Sequence, residues 1–251
     1  MSHKVQVGFT RCHAVALLIA LLLGYAHSAS AQSAQPDQPQ DSRGPSGQTG
    51  DTSEPASPDP PSLLTPLKSQ TEASVYHAIT PRQRLRWFIT NTIGPPHLAG
   101  GLFTSAFGTA LDRPKEYGPH WGGFADRYGI CITGTVTGNA IEASAGALWG
   151  EDPRYFRVPE QPLKARVRNI VRLTFVARRS DGSFAPAYAR YMAISGNNFL
   201  SNSWRVESEA NTHDAILRIG EGFAGRMAAN AFEEFWPDIK SRIFRRNRGQ
   251  D

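Results

Sequence analysis

The chain has 251 residues, a formal net charge of +5 and 20% charged side chains. That length bounds it to one domain with an appended segment. Two cysteines, Cys12 and Cys131, exclude a disulfide-rich scaffold and a Cys-rich metal module.

The N-terminus reads as an export signal. Lys4 and Arg11 form a basic leader, Ala14 to Leu23 is an uncharged apolar run, and Ala29-Ser30-Ala31 is a small-x-small cleavage site. Cleavage is expected between Ala31 and Gln32, giving a signal peptide over 1–31; the alternative is a retained N-terminal anchor. Cys12 precedes the apolar run, where a lipoprotein would carry its cysteine after it. Cys131, in Ile130-Cys131-Ile132, reads as a small buried hydrophobe.

Residues 32–72 are expected to be a disordered tether. Pro, Ser, Gln, Gly and Asp dominate, and Leu63, Leu64 and Leu67 are the only large apolar residues. So few cannot offset an ordering entropy of about 1–2 kcal/mol per residue. Within it, residues 32–70 hold Asp37, Asp41, Asp51, Glu54 and Asp59 against Arg43 and Lys68, a net −3. Residues 71–251 hold 23 Lys plus Arg and 17 Asp plus Glu, a net +6. In an envelope compartment such a body favours anionic lipid or envelope glycan as partner, and the compartment argues against nucleic acid.

Residues 73–251 are expected to form an α-helical domain. Thr80-Pro81-Arg82-Gln83 has a helix-start signature: Thr as N-cap, Pro at the first helical position, Gln three residues after the cap. Leu85, Phe88 and Ile89 share one face, with Arg82, Arg84 and Arg86 mostly elsewhere, and Gly94-Pro95-Pro96 ends the helix. A second helix is expected from His97 to Leu111, closed by Arg113-Pro114.

From Tyr128 to Gly150 the only charge is Glu142. As a helix this stretch spans about 35 Å, enough to cross a bilayer. Its threonines, Asn139, Glu142 and Ser144 favour a buried helix over a membrane-inserted one, and Ile130, Ile132 and Val136 leave a local strand open. Gly134, Gly138, Gly146 and Gly150 recur every fourth residue, with Glu142 at the missing step. Such a ridge admits close approach of another helix. With Ala106 and Ala110, and Gly220, Ala224 and Ala228, it offers small-residue helix faces through which a homo-oligomer can form.

Over Lys164 to Arg179, Val167, Ile170, Val171 and Phe175 fall at helical spacing. Ser180-Asp181-Gly182 is a turn. Further helices are expected over Ala187 to Ser203 and about Asn211 to Phe235, the latter with Ile216, Ile219, Phe223 and Met227 on one face and ended by Trp236-Pro237. The basic tail Lys240 to Arg248 reads either as a solvated end or as a segment lying on an anionic membrane surface.

No sequence constellation fixes a reaction. His77, His97, His120 and His213 are scattered, with no metal-ligand spacing, and Gly-x-Ser-x-Gly and Walker-type loops are absent. No metal and no cofactor is expected. Asp152-Pro153-Arg154-Tyr155-Phe156 reads as a helix stop with aromatic anchors. Its functional reading is a polar pocket in which Asp152, Arg154 and Tyr155 face Glu142 and Asn139, with Arg127 as a further binding or structural residue. Glu142 and Asp152 are the weak candidates for acid/base catalysis.

The run from Phe124-Ala125-Asp126-Arg127-Tyr128-Gly129 through Thr137-Gly138 to Asp152-Pro153-Arg154-Tyr155-Phe156 resembles a group of uncharacterised exported bacterial proteins of acidobacterial type. Their later parts correspond here to Lys164–Arg179, Asp181-Gly182 and Asn197-Asn198. Gly150-Glu151 departs from the His-Gln pair of that pattern. The resemblance implies a single fold and export, and no activity.

The sequence thus predicts an all-α bundle of about five to six helices behind a disordered segment. The expected function is that of an exported, periplasmic or outer-envelope protein with a structural or binding role. The alternative is a hydrolase or transferase acting on envelope lipid or glycan.

Overall fold

The computed structural model describes residues 70–71 and 76–247, with side chains through residue 242. The leader and all but the end of the expected tether lie outside the described residues. Six α-helices dominate: α1 (Pro81–Ile93), α2 (Pro95–Ala110), α3 (Trp121–Trp149), α4 (Leu163–Phe175), α5 (Tyr188–Ser201) and α6 (Thr212–Asn247). The all-α expectation holds in this coarse sense, but short strands modify it. β1 (Gln70–Thr71) pairs in parallel with β3 (Phe156–Arg157). β4 (Val176–Arg179) is central in a second small sheet, antiparallel to both β2 (Glu151–Asp152) and β5 (Phe184–Pro186).

The local signals act as their chemistry dictates. Thr80 Oγ1 accepts from the Gln83 N–H at 3.2 Å, and Gln83 Oε1 accepts from the Thr80 N–H at 3.0 Å, closing the capping box of α1. The stretch from Trp121 to Trp149 is one helix, which removes the strand alternative. Among the described residues no helix is long and apolar enough to cross a membrane. Gly150 stops α3 in the left-handed region at φ 70°, where a side chain would be strained. Gly182 turns the β4–β5 hairpin at φ 84°, and Asp181 Oδ1 accepts from the Ser183 N–H at 2.9 Å.

Three expectations are corrected. Helix α4 ends at Phe175, and Val176–Arg179 is a strand, because its backbone finds two antiparallel neighbours. The buried face of α4 is Asn169, Ile170, Leu173 and Thr174, while Val167, Val171 and Phe175 are exposed. Helix α6 runs through Pro237 to Asn247 instead of ending at Trp236-Pro237. Proline removes one helix hydrogen bond and crowds the preceding turn. The carbonyl that loses its donor is that of Glu233, four residues back; the next one, Glu234, accepts from Arg157 Nη2 at 2.9 Å and from Arg166 Nη2 at 2.8 Å.

Two apolar clusters anchor the helices. Trp87 and Phe88 of α1 pack on Ala140 and Ala143 of α3. Tyr155, Phe156, Ile170 and Leu173 form the second, with Met227 and Phe235 of α6 against it. Each fully buried large apolar side chain contributes about 1.5–3 kcal/mol. Between these clusters, α3 lies along α2 and α5, and α6 closes over α4 and α5.

Candidate functional site

Glycine spacing on α3 and small residues on α5 and α6 leave a cleft between these helices and α2. Its volume is about 610 Å³. It follows α3 from Arg127 to Glu142, fifteen residues apart, or about 22 Å at the helical rise.

The base of the cleft is charged. Glu142 is 6% exposed, and its Oε1 accepts from Arg190 Nε at 3.1 Å and from Arg226 Nη2 at 2.7 Å. Oε2 accepts no hydrogen bond from the described residues. Arg190 Nη1 also donates to the Leu173 carbonyl at 2.6 Å, and Arg226 Nη2 to the Pro153 carbonyl at 2.9 Å. One carboxylate therefore ties α3 to α5 and α6, and its arginines reach the end of α4 and the turn after α3. Burial pushes the Arg190 pKa down to about 10, helped by the like charge of Arg226 and opposed by Glu142. It stays protonated at neutral pH, and the three groups carry a net positive charge.

The walls are small and amide-rich. A Cβ at Gly138 would lie 3.4 Å from Asn197 Nδ2, so the ridge on α3 makes room for the Asn197 amide, not for a neighbouring backbone. Gly146 is where the close approach occurs: a Cβ there would lie 2.7 Å from Arg84 Nη1 and 3.1 Å from the Glu151 carbonyl oxygen. Asn197 Oδ1 and Arg226 Nε, both lining the cleft, are buried without a hydrogen-bond partner among the described residues. His97 also lines the cleft, and loss of solvation together with the charge of Arg226 lowers its pKa, which favours the neutral imidazole.

The other residues singled out by sequence divide into separate networks. Arg127, at the far end of the cleft, donates to the carbonyls of Arg113, Pro114 and Gly118 at 3.0, 2.9 and 2.9 Å and clamps the loop after α2. Asn139 Nδ2 donates to the Asn91 carbonyl at 2.9 Å, fixing the end of α1. Asp152 and Arg154 do pair: Oδ1 accepts from the Arg154 N–H at 3.0 Å and from its Nε at 2.9 Å. The Tyr76 hydroxyl donates to Asp152 Oδ2 at 3.2 Å, and Arg154 Nη2 donates to the His77 carbonyl at 2.9 Å. Tyr155 points elsewhere, donating to Glu234 Oε2 at 3.0 Å. Glu142 meets this turn only through Arg226 and the Pro153 carbonyl.

Sequence reasoning missed Arg190, Arg226, Glu234 and Glu151. Glu234 is fully buried and also accepts from Arg166 Nε at 2.7 Å. Glu151 accepts from the backbone N–H groups of Tyr188 and Ala189 at 3.2 and 3.0 Å, capping α5 from a distance. One signal was present: the start of α5 has no side-chain cap of its own. No local pattern marks the arginines, since their partners are remote in sequence. Among the described residues no group of three His, Cys, Asp or Glu can hold a metal ion.

No family model matches this sequence, and no curated protein or solved structure is significantly similar to it.

Proposed function

We propose that the protein is a non-catalytic binding protein of the cell envelope that holds one elongated, anionic-headed molecule in the cleft between α2, α3, α5 and α6. The observation that carries this reading is the cleft itself: elongated along α3, with a net positive base and two polar atoms on its lining that have no partner among the described residues. Unpaired buried polar atoms are costly, and a ligand group that bonds them recovers that cost. Arg226 Nε suits an anionic head, and Asn197 Oδ1 suits a hydroxyl or amide donor. The export signal and the resemblance to exported proteins support an envelope address.

The enzyme reading fits less well. Both oxygens of Asp152 are engaged by Arg154 and Tyr76. Glu142 is held between the guanidiniums of Arg190 and Arg226.

Dodecanoate and dodecyl phosphate are suitable probes, titrated calorimetrically and by thermal shift. Both should bind and raise the melting temperature. Gly138→Leu, which fills the passage beside Asn197, should abolish binding. Gly129→Leu, where a Cβ meets nothing within 4 Å, should leave it intact. Equal binding by wild type and Gly138→Leu, or no binding of either probe, refutes the reading.

A further inference from the structure

Helix α4 presents two parallel ridges to solvent. Leu163, Val167 and Val171 form an exposed apolar ridge, and Lys164, Arg168 and Arg172 form an exposed basic ridge one position along. Both repeat every four residues, so they run side by side along the helix for about 12 Å, the rise over eight residues, and about 100° apart round its axis.

The apolar ridge does not end with the helix. Phe175 stacks on Phe223 of α6 at 5.4 Å between centroids. Phe223 meets Tyr191 at 5.9 Å, and Tyr191 meets Tyr188 of α5 at 6.3 Å. Tyr188 and Met192 are themselves exposed. One apolar band thus crosses α4, α6 and α5, exposed at Leu163, Val167, Val171 and Phe175 and at Tyr188 and Met192, half-buried at Phe223 and Tyr191, and flanked along its first part by cations. Neither Leu163–Phe175 nor Tyr188–Ser201 contains an acidic residue. The acids nearest in sequence to α4, Glu160 and Asp181, stand outside both helices.

We propose that this band docks on an anionic lipid bilayer, with α4 lying in the plane of the interface. An apolar ridge beside a basic ridge matches the layering of acyl boundary and phosphate headgroups. A second copy of the chain is a poor occupant: two-fold packing through α4 sets Lys164, Arg168 and Arg172 against their own copies. Exposed apolar bands of this extent mark interaction surfaces, and the cations beside this one select an anionic partner. The proposal is independent of the cleft, which α4 does not line.

The test is co-sedimentation of the full-length chain with phosphatidylglycerol–phosphatidylcholine vesicles and with phosphatidylcholine vesicles alone. Binding should require phosphatidylglycerol and weaken with salt. Lys164→Glu/Arg168→Glu should reduce partitioning by about tenfold or more, since each basic residue near an anionic surface is worth roughly fivefold. Val167→Ser/Val171→Ser should reduce it as well. All four positions are exposed, so unchanged thermal melting of the variants shows that the loss is not unfolding. Three results overturn the proposal: no binding to anionic vesicles; binding that both double variants retain, which places it elsewhere in the chain; or a lipid-free dimer, seen by sedimentation velocity, that Val167→Ser/Val171→Ser dissociates.

Discussion

Replacing Glu142 by Gln tests whether this carboxylate holds the fold together. Arg190 Nε and Arg226 Nη2 lie 3.1 and 2.7 Å from one of its oxygens. The Arg190 side chain is 3% exposed, so water cannot take over the solvation that the carboxylate supplies. Glutamine keeps the shape and one acceptor but removes the charge, leaving two guanidiniums facing each other across a buried site. Removing one partner of a buried ion pair costs about 3–5 kcal/mol. At 2–4 °C per kcal/mol for a domain of this size, the melting temperature should fall by about 6–20 °C. Urea unfolding at neutral pH should show the same loss in midpoint. Adding Arg190→Met should recover part of it by removing one stranded charge, but not all, because Arg190 also donates to the carbonyls of Leu173 and Thr174. A Glu142→Gln protein that melts within about 2 °C of wild type would refute the reasoning. It would show that the carboxylate is dispensable for stability and return Glu142 to candidacy as an acid/base.

Gly146→Ala should destabilise by about 1–3 kcal/mol through overpacking, because the added carbon meets Arg84 Nη1 and the Glu151 carbonyl that Arg84 Nη2 binds at 2.8 Å; an unchanged urea midpoint would contradict the close approach. Glu151→Ala removes the acceptor for two N–H groups at the start of α5 and should cost about 1–2 kcal/mol, as losing a helix cap does, with amide exchange at Tyr188 and Ala189 accelerating first. Alkaline pH should also destabilise the fold. The Tyr76 phenol is pushed up to about 12 by burial and then by Asp152, and burial with Glu234 raises that of Tyr155. Folded protein therefore holds both protons more tightly than the unfolded chain, whose tyrosines titrate near 10. Stability should be intact below about pH 10 and fall as pH rises from there through 12. Tyr76→Phe/Tyr155→Phe should flatten that decline, and a wild-type urea midpoint that stays constant from neutral pH to about 11 would exclude it.

What the sequence made legible is local. The capping box at Thr80, the stop at Gly150 and the turn at Asp181-Gly182 each depend on residues within a few positions of one another. The strands were illegible because none exceeds four residues and, apart from the β4–β5 hairpin, they pair across distance: β2 with β4, β1 with β3. The rotation of α4 failed for a related reason. Hydrophobic spacing chose Val167 and Val171 for the core, but Asn169 and Thr174 are buried in their place. Their partners explain it: Asn169 Nδ2 donates to the Phe156 carbonyl at 2.8 Å, and Thr174 Oγ1 accepts from Asn230 Nδ2 at 3.1 Å. A polar residue with a remote partner outcompetes an apolar residue that only periodicity recommends.

The same logic divides the basic charge of this chain. A sequence count treats every arginine alike, and the net +6 of residues 71–251 reads as one surface property. In the folded protein Arg84, Arg127, Arg154 and Arg190 are buried, bonded to backbone carbonyls or to carboxylates inside the domain. These cations hold loops and helix ends in place. Lys164, Arg168 and Arg172 are exposed instead, on a helix without acids. Arg82, Arg113, Lys115, Lys240 and Arg242 are exposed too, but Lys164, Arg168 and Arg172 form a row on α4, beside the apolar ridge that the periodicity argument had assigned to the core. The misplaced ridge and the excess charge have one physical origin: α4 turns its polar, partnered side inward and its apolar and basic sides to the solvent.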